Sequence, residues 1–91
     1  MTDQTPKPVA VVTGAAGDIG MAIAAQLSAT HIIAAVDIDM IALEGAVESL
    51  ENHGADIAAI QCDLTKVDDL ARLAREASRL GQVNTIVNNA G

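Results

Sequence analysis

The sequence predicts an α/β fold, a parallel sheet with helices on both faces. Three observations carry that prediction. Four short apolar runs recur, at Val9–Val12, Ile32–Val36, Ile57–Gln61 and Val83–Val87. They are continuous rather than alternating, the pattern of strands buried on both faces. Between them lie three stretches with helical spacing of apolar residues, so the order reads β-α-β-α-β-α-β. Finally, a glycine-rich segment joins the first strand to the first helix.

That segment, Thr13-Gly14-Ala15-Ala16-Gly17-Asp18-Ile19-Gly20, has a strand before it and a helix after it. Glycines let a backbone turn tightly and approach a ligand closely. A helix start adds unpaired N–H groups and the positive end of its dipole. Together they make a site for a dinucleotide pyrophosphate. The first helix is expected from about Asp18 to Ala29, with Ile19, Ile23 and Leu27 on its inner stripe. Asp18 favours that helix as a first-turn acid. It would oppose a pyrophosphate unless it pointed to solvent.

The second helix is expected from about Met40 to His53, with Leu43, Val47 and Leu50 inward and Asp39 as a candidate cap. Gly45 weakens its middle by roughly 1 kcal/mol relative to Ala. Gly54 suits the position after its end, where His53 would meet the helix dipole. The third helix is expected from about Lys66 to Leu80, with Val67, Leu70, Ala74 and Ala77 inward. Thr65 and Asp68 read as a capping-box-like pair, and Gly81 ends the helix. Right-handed crossovers turn this order into a Rossmann-like parallel sheet with strand order 3-2-1-4. The fourth strand is then an edge.

The chain has 91 residues, enough for one small domain, and 51% are apolar, yet it has no Phe, Trp or Tyr. Its core must be built from Ala, Val, Ile, Leu and Met. Five basic against twelve acidic residues give a net charge of −7. That argues against nucleic acid, which is bound through Lys and Arg, and against an anionic membrane surface. Cys62 is the only cysteine, so no intrachain disulfide forms, and a reducing cytoplasm is expected. Residues 1–7 read as a polar tail without the apolar core of a signal peptide. His31, His53 and Cys62 lie on separate elements and predict no metal site. Cys62 reads as a small buried hydrophobe.

Asp37 ends the second strand, 17 positions after Gly20. This is close to the spacing at which a carboxylate meets the ribose hydroxyls of a dinucleotide. The same carboxylate repels a 2′-phosphate, and no Lys or Arg lies between Lys7 and Lys66. NAD is thus favoured over NADP. The alternative for Asp37 is a plain cap or loop carboxylate.

With the turn and Asp37, two further segments complete a resemblance. They are Cys62-Asp63-Leu64-Thr65 after the third strand and Asn88-Asn89-Ala90-Gly91 after the fourth. Val9 to Gly91 resembles the N-terminal part of a short-chain dehydrogenase/reductase. The resemblance implies that Asp63 and the Leu64 backbone lie against the adenine. It also implies that Asn89, Ala90 and Gly91 line the ribose side, with the Asn pair bracing the central strands. The cofactor shell it implies is Gly14, Gly17, Asp18, Ile19, Gly20, Asp37, Asp63, Leu64, Asn89, Ala90 and Gly91.

The usual T-G-x-x-x-G-x-G of that family is altered here, because Asp18 stands where its middle glycine is expected. The segment also fits T-G-x-x-G-x-x-G, the spacing of an extended branch that includes sugar epimerases and dehydratases. The Asn88–Gly91 tetrapeptide speaks for the ordinary branch. In the family a Tyr-x-x-x-Lys pair and a Ser handle the proton while hydride moves to or from the nicotinamide. No tyrosine occurs here, so no catalytic residue is assigned. The chain is expected to be the N-terminal cofactor-binding portion of a single domain that continues beyond Gly91. The full-length protein would be a homo-oligomeric, NAD(H)-dependent oxidoreductase acting on an alcohol or ketone. The chain alone is expected to be inactive, and poorly soluble, partly molten or oligomeric. The alternatives are a non-catalytic nucleotide-binding module and an extended-branch relative acting on nucleotide sugars.

Overall fold

The computed structural model describes residues 6–89. Seven elements follow one another: β1 (Val9–Thr13), α1 (Asp18–Leu27), β2 (Ile32–Asp37), α2 (Met40–Glu51), β3 (Ile57–Gln61), α3 (Val67–Leu80) and β4 (Val83–Val87). The strands form one parallel sheet in the order β3-β2-β1-β4. Element order, sheet type and strand order are those the sequence predicts. Each helix is slightly shorter than its apolar spacing suggests.

Alternate residues of the central strands feed two half-cores. Ala10, Val12, Ile33 and Ala35 meet Ala24 of α1 and Leu43 and Val47 of α2. Val9, Val11, Ala34 and Val36 meet Leu73 and Ala77 of α3 on the other face. Helices therefore cover both faces. Burying Ile33 and Leu43 completely contributes about 1.5–3 kcal/mol each.

The inner stripes of two helices need correction. Buried residues of α1 are Gly20 and Ala24, with Ile23 and Leu27 only partly covered, and Ile19 is 70% exposed. The helix lies so close to the turn after β1 that only the smallest side chains fit beneath it. In α3 the buried residues are Leu73 and Ala77, while Val67, Leu70 and Ala74 are exposed. The helix packs across β1 and β2, which leaves its Leu70–Ala74 ridge over a groove beside β4. Of α2, Leu43 and Val47 are buried and Leu50 packs at their side, as the spacing predicts.

Only β1 and the middle of β2 are buried throughout. β3 is mixed, and β4 alternates half-buried with exposed residues. Both are edges, so the expectation of strands buried on both faces fails there. β4 also carries an irregularity: Val9 pairs with Val83 but Ala10 pairs with Thr85, which leaves Asn84 as an extra residue. Its Oδ1 meets His31 Nε2 at 3.0 Å and Thr85 Oγ1 at 2.8 Å, tying the bulge to the start of β2.

The helix ends follow local chemistry. Asp39 caps α2 by accepting the Ala42 N–H at 3.1 Å. After α2, His53 Nδ1 bonds the Ser49 carbonyl at 2.8 Å, and Gly54 takes φ 89°. The expected Thr65–Asp68 capping box does not form. Lys66 is the N-cap of α3 without a side-chain bond, and Thr65 instead turns back to Asp63.

Candidate functional site

The segment between β1 and α1 is held in a compact turn. Gly14 has φ 64°, a left-handed conformation that favours glycine. Ala15 N–H donates to the Val36 carbonyl at 3.0 Å, and Gly17 N–H donates back to the Gly14 carbonyl at 3.2 Å. Gly20 is required by space, since a Cβ there would collide with the Gly14 carbonyl oxygen. Gly17 is different. Its φ of −84° is ordinary, and an added Cβ would lie 3.6 Å from the nearest atom. It is the N-cap of α1 and supplies no side-chain cap. The first N–H groups of that helix are therefore left for solvent or an anion.

At the end of β2, Asp37 meets this turn. Its Oδ2 accepts the Ala16 N–H at 3.0 Å, and its Oδ1 accepts the Asp39 N–H at 3.1 Å. A carboxylate has lone pairs for further donors beyond these two bonds. Between the turn, Asp37 and the end of β3 lies a cleft of about 360 Å³, lined by Gly14, Asp37, Ile38, Cys62, Asp63 and Leu64, among others. That volume lies within the roughly 300–1,000 Å³ usual for small-molecule sites. The cleft sits at the carboxyl ends of parallel strands, where such folds bind ligands.

Asp63 and Leu64 form a further part of the cleft wall. Asp63 Oδ1 accepts both the Thr65 N–H at 3.0 Å and the Thr65 hydroxyl at 2.6 Å. Those two bonds hold the Asp63 carboxyl below the usual carboxylate range, so it is an acceptor at neutral pH. Two residues of α3 reach under this wall. Asp69 Oδ2 accepts the Asp63 N–H at 2.9 Å, and the Arg72 guanidinium donates to the Gln61 carbonyl. No sequence motif flags either. The only sign is a carboxylate six positions after Asp63 with an arginine one turn later. Burial pushes the Cys62 thiol up, and Asp69 adds to that. Cys62 is buried and free.

The end of β4 is fastened to the end of β1. Asn89 N–H donates to Thr13 Oγ1 at 2.9 Å, and Asn89 Nδ2 donates to the Gly14 carbonyl at 3.4 Å. Thr13 Oγ1 lies 3.3 Å from the Val87 carbonyl, to which it donates, and 3.4 Å from Asn88 Oδ1. The Asn pair thus ties the edge strand β4 to β1, rather than one central strand to another as expected. Ala90 and Gly91 lie outside the described residues.

The predicted shell is therefore brought together in part. Gly14, Asp37, Asp63 and Leu64 share the cleft. Gly17 and Gly20 shape the turn beside it, and Asn89 bonds that turn. Asp18 and Ile19 are exposed and line a groove between α1 and β4 instead. Asp18 thus stays off the cleft wall. Among the described residues, no group of three or more His, Cys, Asp or Glu is placed to hold a metal.

Residues 8–91 match the short chain dehydrogenase family. Over 84 residues the chain is 46% identical to 1-deoxy-11-beta-hydroxypentalenate dehydrogenase of Streptomyces avermitilis, covering 90% of this chain and 31% of that protein. It is 37% identical to 7alpha-hydroxysteroid dehydrogenase of Escherichia coli, covering 90% and 33%. A short chain dehydrogenase/reductase from Burkholderia phymatum, solved in complex with NAD, superposes with a TM-score of 0.87 at 29% identity, over 99% of this chain and 33% of that one. Actinorhodin polyketide ketoreductase (F189W), solved with NADPH, gives 0.88 at 30% identity, over 93% and 33%. The chain spans about a third of the length of the curated relatives it matches. A Rossmann-like sheet, a glycine turn closed on its own helix and this kinship over nearly the whole chain agree: the chain belongs to the short-chain dehydrogenase family.

Proposed function

We propose that these residues are the adenosine half of a nicotinamide dinucleotide site, with NAD(H) preferred over NADP(H). The Asp37 carboxylate carries the reading. It lines the cleft beside the glycine turn, and no Lys or Arg lies between Lys7 and Lys66 to offset it. Vicinal ribose hydroxyls can donate to its remaining lone pairs, whereas a 2′-phosphate meets like charge. The fit to the rest of the group is physical. Gly20 has no room for a Cβ, which lets α1 begin directly behind the turn and aim its free N–H groups at a pyrophosphate. Asp18, Ile19, Ala90 and Gly91 remain part of the proposed shell by family kinship.

On this reading residues 1–91 are the N-terminal cofactor-binding portion of one Rossmann-fold domain. The protein is an oxidoreductase that transfers hydride between the nicotinamide and an alcohol or ketone. Its own part in that reaction is to bind and orient the dinucleotide. Proton transfer falls to residues outside these 91, which contain no tyrosine. A cytoplasmic setting fits a buried free thiol. Homo-oligomerisation is proposed by family kinship alone, since the exposed Ile19 and Ile86 flank the β4 edge where the rest of the domain would continue.

Calorimetric titration of the full-length protein with NAD⁺ and NADP⁺ tests the reading. NAD⁺ is expected to bind at least about tenfold more tightly. Equal or tighter binding of NADP⁺ overturns the preference, and no binding of either overturns the site.

A further inference from the structure

We propose that Asp69 and Arg72 are positioning residues that set the base preference of the cleft. From α3 they hold the Cys62–Leu64 segment so that the Asp63 carboxylate meets a nucleobase through an exocyclic amino group. The inference rests on the adenosine reading of the cleft and adds a cause for its selectivity.

Three observations converge on this segment. Asp69 Oδ2 takes the Asp63 N–H at 2.9 Å, which fixes the backbone of a residue that lines the cleft. Arg72 donates to the carbonyl of Gln61, the last residue of β3, and lies 3.8 Å from Asp69. Its other arm is held by Glu76 at 2.9 Å, so the guanidinium is anchored from its own helix. Thr65 then fixes the Asp63 side chain through two bonds to Oδ1. Backbone and side chain are thus pinned independently, and Asp63 is left as an ionised acceptor in a cleft whose other lining is largely apolar.

An ionised carboxylate discriminates bases simply. An amino group on the ring donates to it. A hydrogen at the same place offers it no bond. Adenine and unsubstituted purine differ at that one position, so their dinucleotides read the geometry of Asp63 directly. A carboxylate displaced by loss of its support still fills the cleft but no longer distinguishes the two.

The experiment is calorimetric titration of the full-length protein with NAD⁺ and with nicotinamide purine dinucleotide, which lacks the amino group. The native protein is expected to prefer adenine by about tenfold, the scale of one hydrogen bond to a charged group. Asp69→Ala is expected to bring the ratio close to one. Asp69→Asn is expected to keep most of it, because its side-chain oxygen still accepts the Asp63 N–H. Arg72→Met, at a partly exposed position, is expected to reduce the ratio as well, and it carries the test where Asp69→Ala does not fold. A native ratio near one overturns the proposal, and so does an unchanged ratio in either folded variant. Failure of the native protein to bind either dinucleotide overturns the adenosine reading and the proposal with it.

Discussion

Asp37 Oδ2 accepts the backbone N–H of Ala16 at 3.0 Å, so the carboxylate that ends β2 also fastens the turn that follows β1. The proposed ribose contact and the shape of the glycine turn therefore rest on one side chain. Asp37→Ala is expected to narrow the preference for NAD over NADP and to lower stability by about 1 kcal/mol through the lost bond. The Ala16 amide should exchange faster in the variant, as read by NMR. Discrimination that stays unchanged removes Asp37 from the ribose position.

The two glycines that flank the start of α1 should behave differently. Gly20→Ala forces a Cβ onto the Gly14 carbonyl, which only a backbone shift can relieve. A loss on the order of 3 kcal/mol is expected, with Tm falling by roughly 10 °C or more. Gly17→Ala places its Cβ at ordinary contact distance and should stay within about 1 kcal/mol. Circular-dichroism melts of the two variants give the comparison.

Thr13 is 5% exposed and accepts the Asn89 N–H. Thr13→Val keeps the shape and removes the hydroxyl. It should cost about 1–3 kcal/mol, because the Asn89 amide loses its acceptor. The loss should be local to the seam of β1 and β4, with amide exchange in β4 rising more than in β2.

Asp63 titrates below its ordinary value of 3.8 because the Thr65 hydroxyl, and then the Thr65 amide, bond its charged form. A depressed carboxylate contributes stability that is present above the unfolded pKa and is lost as pH falls through the folded one. For Asp63 that window lies below pH 3.8. Thr65→Ala removes the larger cause and leaves the amide, so the Asp63 pKa should rise toward its ordinary value. Carboxyl-carbon NMR titration reads the change.

Cys62 presents the opposite sign. Burial raises its pKa, Asp69 and Asp63 raise it further, and Arg72 partly opposes them. The thiol should therefore stay protonated at neutral pH and react slowly with a disulfide reagent until the protein unfolds. Arg72→Met should suppress the native reaction further still. A native rate equal to that in denaturant contradicts this.

Much of the architecture was legible in local sequence. Ile32–Val36 and Ile57–Gln61 are bounded by turns, and only a parallel arrangement accommodates the helices between them. The Asp39 cap and Gly54 are likewise local decisions. What escaped is set by relations between elements. Leu70, Leu73, Ala74 and Ala77 offer α3 two possible inner stripes, and its placement over β1 and β2 selects Leu73 with Ala77. The Asn84 bulge follows from the offset of two strands, which neither strand encodes alone. Thr65 read as a cap because its spacing to Asp68 was right, yet Asp63 was nearer and took the hydroxyl. In the cleft, Gly14, Asp37, Asp63 and Leu64 were legible by spacing and kinship. The undersides of that wall, Asp69 and Arg72, were not, because their role exists only once α3 lies beside β3.

Both half-cores are built from aliphatic side chains and one thiol, without a ring among them. Residues 1–91 are therefore nearly transparent in the near ultraviolet, with no tyrosine or tryptophan emission of their own. The walls of the cleft add no absorption band or fluorescence there. Reduced nicotinamide, or an emissive base analogue seated against Leu64, would report a neighbourhood that is itself dark.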